Sequence, residues 1–197
     1  DFIHTGNTKN VTFQDNVNAT VTSSVNRNIR TQGEITVKDN ASVTMTGTSE
    51  VFYAQTNLNV LGGTVTVSGT ANVFRATNNL TISGGVVNTT ATTTNAVRAM
   101  AITVSGGELS AEASGNYGIY AEGGALNLIG GTVNVDVTED DGIVGDDLGG
   151  VLDGAHNVDQ LQSLGIPGDV HDAVGGQDVG GNVEGDGGID SLRLLGL

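Results

Sequence analysis

The chain has 197 residues, a formal net charge of -15, one proline, no cysteine and 4% aromatic residues. These values exclude a disulfide framework, a thiolate metal site and collagen-like structure, and they suit many short strands and tight turns. Residues 1 to 138 hold nine acids against six bases, and residues 139 to 197 hold thirteen acids against Arg193 alone. Such a tail repels phosphate backbones, so nucleic acid is not an expected partner and a divalent cation is.

The opening "DFIHTGNTKN" lacks the basic-then-apolar profile of a signal peptide, and no run of 18 apolar residues follows, so no membrane span is expected. The expectation is a processed, exported protein, extracellular or at the cell surface. Residues 1–10 read as an N-terminal extension whose apolar Phe2 and Ile3 are available for assembly contacts.

From residue 11 the chain repeats. Paired turn residues mark each period: Asp15 and Asn16, Asp39 and Asn40, Gly62 and Gly63, Gly84 and Gly85, Gly106 and Gly107, Gly130 and Gly131, at steps of 24, 23, 22, 22 and 24 residues. In phase with them run Val11, Ile35, Leu58, Leu80, Ile102 and Leu126, each followed two residues later by another apolar side chain. Alternation of this kind marks one buried face of a strand. A second strand carries Val65 and Val67, Val87, Leu109 with Ala111, and Val133 with Val135. A third apolar column reads Ile29, Phe52, Phe74, Val97, Ile119, Ile143. Three short strands per period, stacking like on like, predict an all-β fold: a parallel β-solenoid of about six coils over residues 11–145. The Gly or Asp-Asn pairs form a corner where positive φ is needed.

Residues 146–197 break the period and form an acidic, Gly/Asp-rich C-terminal cap and tail. Within it "NVDQLQSLG" spaces Val158, Leu161 and Leu164 three apart behind Asn157, which predicts a short capping helix. Asp140, Asp141, Asp146, Asp147 and Asp153 crowd the end of the solenoid, a density of hard oxygen ligands that suits Ca²⁺. The final "GNVEGDGGIDSLRLLGL" resembles half of a dockerin or EF-hand loop. That resemblance places Asn182, Glu184, Asp186 and Asp190 as calcium ligands, with Arg193 where the twelfth-position acid would stand. Leu194, Leu195 and Leu197 supply an apolar terminus for assembly.

The outward residues carry little chemistry. The first-strand column Thr12, Thr36, Asn59, Thr81, Thr103, Asn127 has no acid or base, and His4, His156 and His171 fall outside the repeats, so no enzyme activity is expected. A Thr and Asn ladder also suggests ice binding, but the neighbouring column Gln14, Lys38, Leu61, Ser83, Ser105, Ile129 is no hydroxyl lattice. Arg30, Tyr53, Arg75, Arg98 and Tyr120 alternate on a third face. Of these, Arg75, Arg98, Tyr53 and Tyr120 are candidate ligand-binding residues for sugar hydroxyls or uronate carboxylates, against the alternative of an ordinary mixed surface. Glycosylation sequons stand at Asn10, Asn18, Asn40, Asn79 and Asn88.

The stretches "ISGGVV" and "VSGGELSAEASGNYGIYAEGGALNLIGGTVNV" resemble the right-handed parallel β-helix of bacterial extracellular proteins, the pectate-lyase-like superfold, and within it calcium-associated carbohydrate-binding modules of cell surfaces. Together these readings give the expectation of a non-catalytic extracellular structural and adhesive protein that assembles end to end with itself, supported by calcium. The alternative is a polysaccharide-binding module.

Overall fold

In a computed structural model, the structure describes residues 3–5, 9–24, 27–139, 141–147, 156–158, 161–163 and 192–193. It is an all-β parallel solenoid of about six turns. Each turn lays one strand on each of three faces. The first face carries β1 (Ile3–Thr5), β4 (Ile29–Thr31), β7 (Phe52–Ala54), β10 (Phe74–Ala76) and β13 (Val97–Ala99). It continues into the start of β15 (Ile119–Val137), then β16 (Ile143–Asp147) and β18 (Leu161–Ser163). The second face carries β2 (Val11–Phe13), β5 (Ile35–Val37), β8 (Leu58–Val60), β11 (Asn79–Ile82), the first half of β14 (Ala101–Ala113) and the middle of β15. The third carries β3 (Asn18–Thr22), β6 (Ser42–Thr46), β9 (Thr64–Gly69), β12 (Val86–Ala91), the second half of β14, the end of β15, and β17 (His156–Val158).

Every apolar column foreseen from the repeat is a register column. Ile29 pairs Phe52, which pairs Phe74, then Val97, Ile119 and Ile143. Val11, Ile35, Leu58, Leu80, Ile102 and Leu126 stack likewise on the second face. Strand alternation turns these side chains inward, and from Ile29 to Leu128 they are fully buried. Phe13, Phe52 and Phe74 form a stack with ring centroids 6.0 and 5.6 Å apart, a tilted geometry that suits aromatic quadrupoles.

The corner after the second face comes in two forms. Phe13 to Ala19 and Val37 to Val43 are six positions apart, whereas Val60 to Val65, and each later coil, are five. The longer form takes positive φ at Asp15 (60°) and Asp39 (58°); the shorter takes it at Gly63, Gly85, Gly107 and Gly131 (78 to 81°). At Gly107 a Cβ would lie 2.6 Å from the carbonyl oxygen of Gly85 in the coil before. Glycine is required there twice over, for its φ and for the close stacking of corner on corner.

Three expectations are corrected. First, strand pairing begins ahead of Val11: β1 pairs β4, so Ile3 packs partly buried against the core and His4 stands beside Arg30 on the first face rather than outside the repeats. Second, the predicted helix over 157–164 is not formed in its described residues. There β17 pairs the end of β15 and β18 pairs β16. The open edge left by β15 and β16 offers unpaired backbone groups, and satisfying those outweighs a weak three-residue spacing. Third, His156 belongs to β17 and so continues the third face. A two-residue strand, β19 (Leu192–Arg193), lies antiparallel against β17. No helix among the described residues is long and apolar enough to cross a membrane.

Candidate functional site: the arginine and tyrosine ladder

The positions between the inward residues of the first face form one register column: His4, Arg30, Tyr53, Arg75, Arg98 and Tyr120, continued by Val144, which is itself buried. In β4, β7, β10 and β13, each three residues long, the centre residue points out while its two neighbours point in. With coils roughly 4.8 Å apart, consecutive side chains in the column must touch or interleave.

They interleave through charge and aromatic contact. The Arg75 guanidinium lies over the Tyr53 ring at 4.8 Å and Arg27 over the same ring at 5.6 Å; Arg98 lies 5.7 Å from the Tyr120 centroid. Tyr120 also meets the Tyr117 ring at 5.3 Å. Such cation-aromatic contacts contribute about 0.5–1 kcal/mol each at exposed sites.

Glu50, only 6% exposed, holds two of the arginines. Arg27 Nε donates to its Oε2 at 2.5 Å, and Arg75 Nη1 donates to its Oε1. Glu122 holds the third, accepting from Arg98 Nε at 2.6 Å and from Nη2. Sequence reading missed both carboxylates. The signal for them is the spacing: Glu50 precedes Arg75 by 25 residues and Glu122 follows Arg98 by 24, about one turn in each case.

Arg30 differs. It is half-buried and forms no ion pair with a carboxylate among the described residues. Its Nε and that of Arg75 are buried donors with no acceptor, an arrangement that costs about 1–3 kcal/mol per group where water cannot reach. All four arginines of residues 1–138 therefore sit on or beside this face, against two carboxylates, a local excess of two positive charges on a chain of -15. The structure brings Tyr53, Arg75, Arg98 and Tyr120 into one column, but it engages both arginines internally, and among the described residues of this column Arg30 is the arginine without a carboxylate partner. Chemically the ladder can hold an anion or a flat polar ligand.

The calcium candidates fall elsewhere. Asp140, Asp153, Asn182, Glu184, Asp186 and Asp190 lie outside the described residues, as do Phe2, Leu194, Leu195 and Leu197. Asp146 and Asp147 belong to the backbone of β16, and Asp141 is half-buried just before it. Among the described residues no group of three or more His, Asp or Glu is placed to hold a metal ion. The sequon residues Asn10, Asn18, Asn40 and Asn79 are exposed and Asn88 is half-buried. Comparison with family models, with curated proteins and with solved structures finds no match to this chain, so the pectate-lyase-like and carbohydrate-module likeness rests on its repeat residues alone.

Proposed function

We propose that this chain is a non-catalytic extracellular structural and adhesive solenoid that assembles end to end with copies of itself. One observation carries the reading. Among the described residues, β1, β2 and β3 are each bonded on one side only, to β4, β5 and β6, and nothing pairs their outer edges. The inward side chains of that first turn, Ile3, Val11, Ala19 and Val21, are partly exposed, and Phe13 keeps 8% exposure where the residues stacked above it have none. An edge that combines unpaired backbone groups with apolar surface accepts a further coil, and a second copy of this chain is the occupant to which this proposal commits; each Å² of that surface removed from water contributes about 25 cal/mol. The two ends differ, since β19 lies antiparallel against β17. Stacking of one end on the other is therefore heterologous, and coils added along one solenoid axis extend as a filament instead of closing into a ring. Calcium enters this proposal as a counter-ion for the thirteen acids after residue 138.

A second reading, a module that binds anionic polysaccharide, is favoured by the ladder around Arg30. The two are separated by introducing inward charge at the edge, as natural sheets do. The double variant Ala19→Lys, Val21→Lys should remain a monomer by light scattering and electron microscopy in millimolar calcium, while the unaltered protein forms elongated particles. A unaltered protein that stays monodisperse and monomeric in calcium removes the assembly reading and leaves the glycan reading, for which Arg30→Ala should weaken retention on a uronate polymer.

A further inference from the structure

The third face carries an array that the repeat columns did not reveal. Along β3, β6, β9 and β12 the outward residues fall in three parallel columns. Asn18, Ser42, Thr64 and Val86 make the first; Thr20, Thr44, Thr66 and Asn88 the second; Thr22, Thr46, Ser68 and Thr90 the third. The pairing runs through these four strands without a register shift. Nine of the twelve side chains end in a hydroxyl and none is charged, on a chain whose net charge is -15. The array stops at the next coil, where Glu108 and Glu112 take over the two outer columns.

We infer that this face binds ordered water in the form of ice. Coils repeat at about 4.7–4.9 Å, and outward residues within a strand repeat at about 6.6 Å. With hydrogen bonds of about 2.75 Å at tetrahedral angles, second-neighbour oxygens in ice lie about 4.5 Å apart, and the repeat along the hexagonal axis is about 7.3 Å. Over the three steps between four coils the mismatch accumulates to about 1 Å, and over the two steps between three columns to about 1.4 Å. A water-mediated hydrogen bond tolerates that much.

Side-chain chemistry supports the match. Threonine is stiff at χ1, so a register column of threonines presents its hydroxyls and methyls at a fixed repeat instead of as a fluctuating brush. Thr46 Oγ1 and Ser68 Oγ are 3.0 Å apart, which ties adjacent coils together in the outer column. A charged group would hold its own hydration shell and disrupt a lattice of neutral water, and the twelve positions contain none. This is independent of end-to-end assembly, which uses the edges of β1–β3 and not their outer faces.

The test is partitioning of the full-length chain into slowly grown ice, alongside Thr66→Lys in the centre of the array and Thr81→Lys on the second face, with melting by circular dichroism to confirm that all three fold. Unaltered protein and Thr81→Lys should enter the ice fraction, and Thr66→Lys should be depleted several-fold. Exclusion of the unaltered protein from ice overturns the inference, as does equal partitioning of the two lysine variants. Retention on microcrystalline cellulose combined with exclusion from ice also overturns it, in favour of a glycan surface.

Discussion

Phe52 and Phe74 offer the sharpest test of how the solenoid is held together. Both are fully buried in the first-face column, and truncating a buried phenylalanine to alanine costs about 3–5 kcal/mol through lost transfer energy and the cavity left behind. The stack makes the two sites unequal. Phe52 meets rings on both sides, Phe13 at 6.0 Å and Phe74 at 5.6 Å, whereas Phe74 has a ring on one side and Val97 on the other. Each ring pair adds about 0.5–1.5 kcal/mol beyond area burial. Phe52→Ala should therefore exceed Phe74→Ala by roughly that amount. At about 2–4 °C per kcal/mol for a chain of this size, both melting temperatures should fall by roughly 6–20 °C. Because each turn contacts only its neighbours, the damage should be local, and hydrogen exchange should locate it in β4, β7, β10 and β13 before it reaches β15. Circular dichroism melts and guanidinium titrations of the two variants supply the numbers. A shift under about 2 °C for either, or Phe74→Ala matching or exceeding Phe52→Ala, would refute the stacked-column account.

The other expectations concern the corner and the charges. Gly107→Ala places a Cβ against the Gly85 carbonyl oxygen at positive φ, adding about 1–2 kcal/mol of backbone strain and about 1–3 kcal/mol of overpacking, to be read as a lower denaturation midpoint. Glu50→Gln keeps the shape but removes the carboxylate shared by Arg27 and Arg75. With both arginines about a quarter to a third exposed, the loss should be about 1–3 kcal/mol. Glu122→Gln, which among the described residues removes the carboxylate of one arginine, Arg98, should cost less, and equal melting curves for the two variants would argue against the shared site.

The interior was legible in the sequence because its code is periodic. Ile29, Phe52, Phe74, Val97 and Ile119 recur at 22 to 23 residues, and a stacked coil cannot bury its inward face unless the same positions are apolar each time. What failed was tied to single turns. The pairing of β1 was hidden because "DFIHTG" shows one apolar pair and no paired corner residues, and its fit becomes visible only when Ile3 is laid against Ile29. The helix expected near residue 160 came from a short spacing that carries little energy against an unpaired sheet edge. The Glu50 and Glu122 ion pairs were missed because their partners lie one turn away, where a reading by columns searches for likeness and not for opposite charge.

The exterior was illegible for a related reason. Once the inward columns fix the coil, an outward residue is free to change without unfolding anything, so stability places no constraint on it. The three faces have accordingly diverged in chemistry on one scaffold: arginine and tyrosine on the first, threonine and asparagine on the second, and a two-dimensional field of hydroxyls across β3 to β12 on the third. The first of these is held by its own ion pairs. On the third face, a run of nine hydroxyls in a chain this acidic is not required by folding, since Glu108 and Glu112 occupy the same columns one turn later with pairing intact. The change from neutral to charged residues at that turn therefore marks where the demand on the surface ends, and it is the partner of the neutral array that would have set it.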